Sequence, residues 1–189
     1  MLDESIQLVL EDAKDHMEKS LQHLSEELNA IRAGRATPAL LSNVRVEYYG
    51  SMTPLNQMAN VSAPQSDLLV IQPWDRGSLN DIDKTIRNAH LGLNPSNDGT
   101  LIRIPVPTPT EERRRELVKA AKAKGEDAKI AVRNNRRHAK DDIKSTVKEE
   151  NLPEDMLYEG EEELNKVTQS FIDRIDKALV RKEAEIMEV

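Results

Sequence analysis

Residues 31–48 read Ile31-Arg-Ala-Gly34-Arg35-Ala-Thr-Pro38-Ala-Leu-Leu-Ser-Asn-Val44-Arg-Val46-Glu-Tyr48, and within them the spacing of the apolar residues changes. Upstream, Ile6, Leu10, Ala13, Met17, Leu21, Leu24, Leu28 and Ile31 recur at steps of three or four, the stripe of an amphipathic helix. No Pro or Gly interrupts that stripe before Gly34 and Pro38, so the spacing predicts one helix of more than 25 residues. Downstream, Val44, Val46 and Tyr48 alternate with Arg45 and Glu47, the pattern of a half-buried strand. Tyr49 to Pro54 reads as turn material, and residues 58–63 read as a second strand. Leu68-Leu-Val-Ile71, closed by Pro73, reads as a buried strand. Leu79, Ile82, Ile86 and Ala89 mark a short helix, residues 91–99 a loop, and Leu101 to Ile104 a last strand.

Pro105, Pro107 and Pro109 then restrict the backbone to extended conformations and remove N–H donors, which predicts a short, stiff connector. Helix resumes after it. Thr108-Pro-Thr-Glu111 fits a capping box with proline at the first helical position, and Thr110 is an alternative cap. Leu117, Ala121, Ala128, Val132, Asn135, Ala139 and Ile143 form the stripe of this second long helix, with Gly125 a weak point in it. Asn151-Leu-Pro153 breaks the pattern, and Leu164, Val167, Phe171, Ile175, Leu179 and Ile186 form a third stripe. A lone helix cannot bury its stripe, so the first must pack with the last two. The expected fold is α+β: a long three-helix bundle from residues 1–34 and 109–189, with a small β/α/β domain of residues 35–108 inserted. The chain crosses between the two domains twice. Gly34 and Pro38 on one crossing, and Pro105, Pro107 and Pro109 on the other, are the expected hinge residues.

Composition narrows the class. The chain holds no cysteine, which excludes disulfide and thiolate chemistry. No stretch approaches the roughly 20 apolar residues of a membrane span, and the acidic start lacks the order of a signal peptide. A soluble, cytoplasmic protein is expected. The net charge of −7 is unevenly spread. Residues 111–148 hold 13 Lys and Arg against 7 Asp and Glu, whereas residues 149–189 hold 5 against 13. A local basic patch sets the contact surface even where the total charge has the opposite sign.

Within that patch Lys129, Arg133, Arg136, Arg137, Lys140 and Lys144 fall in a sector of about 100° on the second long helix. From pattern alone two readings stay open: a solvated face paired with neighbouring acids, or a phosphate-binding ridge in which arginines bind bidentately and lysines add salt-dependent attraction. His16 and His23 lie seven apart on one helix face without a third residue at metal-ligand spacing, which favours solvated histidines over a metal site. Glu161-Glu-Glu163 reads as a charge run near the start of the third helix. Trp74, the only tryptophan, reads as core or domain-edge packing in preference to a ligand platform. No nucleophile elbow, phosphate loop or dinucleotide fingerprint is present, so no enzymatic activity and no cofactor are expected.

Several motifs agree on a family. Arg32-Ala-Gly-Arg-Ala-Thr-Pro-Ala-Leu-Leu41, Val46-Glu-Tyr-Tyr-Gly50, Thr53-Pro-Leu55 and Leu91-Gly-Leu-Asn-Pro95 resemble motifs of the bacterial ribosome recycling factors. So do Glu111-Glu-Arg-Arg-Arg-Glu-Leu117, Ala131-Val-Arg-Asn-Asn-Arg-Arg137 and Lys182-Glu-Ala-Glu-Ile-Met187, in order along nearly the whole chain. The resemblance implies an L-shaped, hinged, two-domain molecule. It also implies binding to the large ribosomal subunit after termination, and subunit splitting with elongation factor G and its GTP hydrolysis. It places the family's essential arginine on Arg136, flanked by Arg133 and Arg137, and sets Arg32 and Arg35 against ribosomal RNA near the hinge; Lys129 and Lys140, read from the spacing of the stripe, join them as expected RNA-binding residues. Asn135 departs from the family, which often has an apolar residue there. A monomer is expected, because the bundle can bury its own stripes. The competing reading is a helical adaptor or chaperone-like module that binds another protein.

Overall fold

The computed structural model describes residues 2–188. The chain divides into two compact units, one of residues up to Ala33 together with those from Glu111 onward, the other Gly34–Thr110. The first is a bundle of α1 (Glu4–Ala30), α3 (Glu111–Glu149) and α4 (Glu154–Met187); the second holds six strands and α2 (Leu79–Asn88).

In the bundle the three predicted stripes meet. Ile6, Leu10, Ala13, Met17, Leu24 and Leu28 of α1 share one core with Ala121, Ala128, Val132, Ala139 and Ile143 of α3. Leu164, Val167, Phe171, Ile175 and Ile186 of α4 complete it. Burying one such side chain fully contributes about 1.5–3 kcal/mol, so the stripes supply most of the drive for assembly. Polar links fix direction and register. Glu27–Lys124 at 2.8 Å and Asn135 Nδ2 to Ser20 Oγ at 3.3 Å make α1 and α3 antiparallel. Arg174 donates two bonds to Glu18, of 2.6 and 2.8 Å, and joins the parallel pair α1 and α4. The guanidinium holds the Glu18 carboxyl below the usual carboxylate range, and it also lies 4.9 Å from the centre of the Phe171 ring. Asn135, on the apolar stripe, is only half-buried and resolves its polarity through Ser20.

The helix ends follow local chemistry. The Asp3 carboxylate accepts from the Ser5 N–H at 2.9 Å and caps α1. Asn151 takes φ +51° in the turn between α3 and α4, a conformation that Asn adopts more readily than most residues. Two expectations shift. The second long helix opens at Glu111, so Thr110 and not Thr108 stands before its first residue, and Pro109 lies outside it. The last helix opens at Glu154, which puts Glu161 to Glu163 beyond its first turn.

The second unit is built from β1 (Arg45–Tyr48), β2 (Ser51–Pro54), β3 (Ala59–Gln65), β4 (Leu68–Pro73), β5 (Ser96–Asn97) and β6 (Ile102–Pro105). β1 and β2 form a two-stranded antiparallel sheet; the other four pair antiparallel in the order β3-β4-β6-β5. Residues 51–54, read as a turn, are therefore a strand. The turn is only Tyr49-Gly50, both at positive φ, the geometry a two-residue hairpin demands. Pro64 lies in the irregular part of edge strand β3, where its missing N–H is tolerated. Leu69, Ile71, Ile102 and Ile104 of the four-stranded sheet share a core with Leu79, Ile82 and Ile86 of α2.

Gly34, Pro109 and Thr110, read as bundle residues, all fall in this second unit. Gly34 has φ +76°, and a Cβ there would lie 2.6 Å from the Pro109 ring, so the two connecting segments pass side by side. Both are tied to the turn between β3 and β4: the Ala36 N–H donates to the Ser66 carbonyl at 2.8 Å and the Val106 N–H to the Asp67 carbonyl at 2.7 Å. Pro38 opens a short 3-10 turn and Pro105 ends β6, so those two prolines belong to the unit's own elements.

Gly125 also changes meaning. A Cβ on it would meet the Leu179 side chain at 2.3–2.9 Å, so the residue that weakens α3 in isolation admits α4 closely. Adding that methyl gains about 1 kcal/mol of helix propensity but overpacks the seam by about 1–3 kcal/mol. Gly125→Ala is expected to leave stability unchanged or lower it in urea unfolding. In a Leu179→Ala background the same change is expected to stabilise, because the clash is gone. Equal effects in both backgrounds would refute the packing role.

Candidate nucleic-acid interface

The cations from Lys129 to Lys144 lie on one uninterrupted helix, α3, so their angular order is set by helix geometry. Lys129, Arg136 and Lys140 span about 40° on one flank, and Arg133, Lys144 and Arg137 follow on the other, about 40–80° round from Lys129. The flanks differ chemically. On the first, Lys129 binds Asp176 at 2.7 Å and Glu126 at 3.5 Å, and Lys140 binds Glu161 at 3.0 Å. Arg136 donates to Asn165 Oδ1 at 3.2 Å. Asp176, Glu161 and Asn165 all belong to α4, so this flank turns toward α4. On the second flank Arg133, Arg137 and Lys144 are exposed, and their side chains have no hydrogen-bond or ion-pair partner among the described residues.

The residues on the ridge are thus unequal. The Lys129 side chain is 16% exposed, and the Asp176 carboxylate holds its ammonium above the usual lysine range. Lys129 and Lys140 carry charges that α4 already balances. Arg136 is the intermediate case. Its partner is a neutral amide, which orients the guanidinium without cancelling its charge and leaves donors over for a phosphate. Arg133 and Arg137 have no charge partner among the described residues. Asn165, Glu161 and Asp176 escape a reading of the sequence because they stand 21 to 47 positions from their partners. Only the antiparallel register of α3 and α4 brings them there.

Arg32 is exposed just past the end of α1, whose last turns lie beside Lys124, so it stands off the ridge. Arg35 is half-buried in the second unit. His16 and His23 sit beside the acids one turn along, with nitrogens 3.3 Å from Asp12 and 3.8 Å from Glu27. Among the described residues no group of three or more His, Cys, Asp or Glu is placed to hold a metal ion. Trp74 departs from the packing expected of it: it is 69% exposed, because Pro73 turns inward at the end of β4 and the next side chain points out.

A long three-helix bundle with an exposed cationic ridge, carrying a small inserted α+β unit, defines the class of molecule. A family model described as Ribosome recycling factor matches residues 24–187, and the chain belongs to that family. The ribosome-recycling factor of Salinibacter ruber is 50% identical over all of both chains. That of Halalkalibacterium halodurans is 52% identical over 96% of this chain and 98% of its own. A solution structure of ribosome recycling factor superposes with a TM-score of 0.75 at 38% identity, covering all of both chains. Another similar structure, with a TM-score of 0.63 and 44% identity over 97% of this chain and 99% of its own, is a T. thermophilus ribosome recycling factor. It is described with E. coli elongation factor G on the E. coli post-termination complex.

The neutrality of Asn165 gives a direct test with heparin as a polyanionic probe. Asn165→Asp places a carboxylate against Arg136 and is expected to elute at lower salt than a Gln22→Glu variant, which adds the same charge on α1. Identical elution of the two variants would mean that the partner of Arg136 has no influence on anion binding.

Proposed function

We propose that this protein is a ribosome recycling factor in action as well as in family: it binds the large subunit of the post-termination ribosome and, with elongation factor G and GTP, splits the ribosome and releases it from mRNA. The observation that carries this reading is the outer flank of the ridge, where Arg133, Arg137 and Lys144 keep unbalanced charge in a protein whose net charge is −7. Structured RNA is recognised largely by shape and backbone, which suits a straight helix with a row of cations. Arg133, Arg136 and Arg137 bind phosphates; Lys129 and Lys140 keep the helix in place on α4 and add long-range attraction. Arg32 and Arg35 extend the RNA contact near the connecting segments. The GTPase chemistry belongs to elongation factor G, and the protein itself performs no catalysis and needs no cofactor. It works in the cytoplasm as a monomer, consistent with a bundle that buries its own stripes. No described helix is long and apolar enough to cross a membrane.

Gly34, Pro38, Pro105, Pro107 and Pro109 serve as the hinge region. Gly34 and the Pro109 ring form its closest contact, with Pro38 and Pro105 anchoring the connecting segments in the second unit. The hinge transmits movement of the partner to a bundle that grips RNA.

Cosedimentation with large subunits across a salt series separates the roles. Each of Arg133→Gln and Arg137→Gln is expected to lower affinity and reduce the slope of log K against log salt by about 1. Lys129→Gln should change that slope less and stability more. Arg136→Gly should weaken binding while the fold persists by circular dichroism. Salt-insensitive binding would favour a protein-binding adaptor. In a subunit-splitting assay with elongation factor G and GTP, Gly34→Ala, which adds a Cβ against Pro109 at positive φ, should slow splitting more than it weakens binding. Parallel loss of both would count against a mechanical hinge.

A further inference from the structure

Trp74 is the chain's one tryptophan, and a large apolar ring left 69% exposed forgoes the burial that such side chains normally obtain. Its exposure does not come from a loose backbone. The Trp74 N–H donates to the Met58 carbonyl at 3.2 Å, and the preceding Pro73 is buried and paired with Ala59 at the end of the sheet. The ring borders an open groove of about 560 Å³ whose other walls are Asn60, Gln72, Pro73, Arg76 and Thr100.

The chemistry of that lining is specific. No carboxylate belongs to it. Asp75, adjacent in sequence, is engaged elsewhere: its carboxylate accepts from the Gly77 N–H at 2.8 Å and from the Tyr48 hydroxyl at 3.3 Å. Arg76 is exposed, and its guanidinium has no hydrogen-bond or ion-pair partner among the described residues. The groove therefore joins one aromatic plane, one unbalanced cation, two side-chain amides and a hydroxyl. An aromatic face accepts any base, a guanidinium accepts phosphate, and amides bond base edges. A protein-binding hot spot built on tryptophan sits in a packed, desolvated pocket, whereas here Pro73 is the only other apolar wall.

We propose that this groove is a second RNA-binding site, on the β-containing unit, which takes an unpaired nucleotide with its base stacked on Trp74 and its phosphate on Arg76. Asn60, Gln72 and Thr100 supply hydrogen bonds to the base edge or sugar. The proposal rests on the reading above only for the source of the RNA, which is then a single-stranded or extruded segment of the ribosome; the chemistry of the groove is independent of the ridge.

Because Trp74 is the sole tryptophan, its fluorescence reports the site directly. An eight-nucleotide oligoadenylate titrated into the full-length protein at low salt should quench that fluorescence saturably. An RNA duplex rich in G·C pairs, which stays paired at that salt, should quench it far less, since its bases are already stacked. Arg76→Gln should weaken the quenching titration and reduce its salt dependence. Trp74→Ala, checked for folding by circular dichroism, should lower affinity for fluorescently labelled oligoadenylate about tenfold in an Arg133→Gln/Arg137→Gln background, where the ridge no longer contributes. That double variant should keep the quenching while losing affinity for large subunits, so failure of the groove and failure of the ridge give different results. The proposal is overturned if oligoadenylate gives no saturable quenching, if the duplex quenches equally well, or if Arg76→Gln has no effect. Quenching by elongation factor G alone, with none by RNA, would assign the groove to a protein partner instead.

Discussion

The apolar stripe of α1 has no cover within its own stretch of sequence. Ile6, Met17 and Leu24 are almost wholly buried, and the residues that bury them come from α3 and α4, beyond the whole β-containing unit. A helix of this length with one wet and one apolar face is stable only when that face meets others. The bundle therefore closes around an insertion, and two connecting segments become unavoidable. Gly34 against the Pro109 ring, and the two backbone bonds to the turn at Ser66-Asp67, are the local expression of that closure.

The same closure sorts the charges. Antiparallel α3 and α4 place acids of α4 beside one flank of the basic stripe, while the cations of the other flank have no ion-pair partner among the described residues. Besides holding α3 on α4, these ion pairs neutralise Lys129 and Lys140 while Arg133 and Arg137 keep their full charge. Arg136, held by a neutral amide, gains orientation without losing its field. A protein with a net charge of −7 can present a cationic surface in this way, because screening confines its acids' influence to about 8–10 Å in ordinary salt.

Much of the fold was legible in the order of residues. The switch from steps of three and four to alternation after Gly34, and the return after Pro109, mark the elements because burial on a helix and on a strand demands those periods. What escaped were features set by partners. Residues 51–54 look like a turn until β1 is beside them. Trp74 looks like core until the position of Pro73 shows which side chain the strand end buries. Gly125 looks like a defect until Leu179 fills the space that its missing Cβ leaves. The six cations were legible as a stripe, but which of them are free was not.

The sequence by itself determined three amphipathic helices, one inserted α+β unit, a basic segment in an acidic chain, and motifs shared with a family, because periodicity, composition and motif order are properties of the chain alone. Only the tertiary structure decided which cations keep their charge, which glycine is a packing site and which aromatic stands in water. Those properties depend on atoms that are distant in sequence and become neighbours only when α3 and α4 pack and the sheet forms.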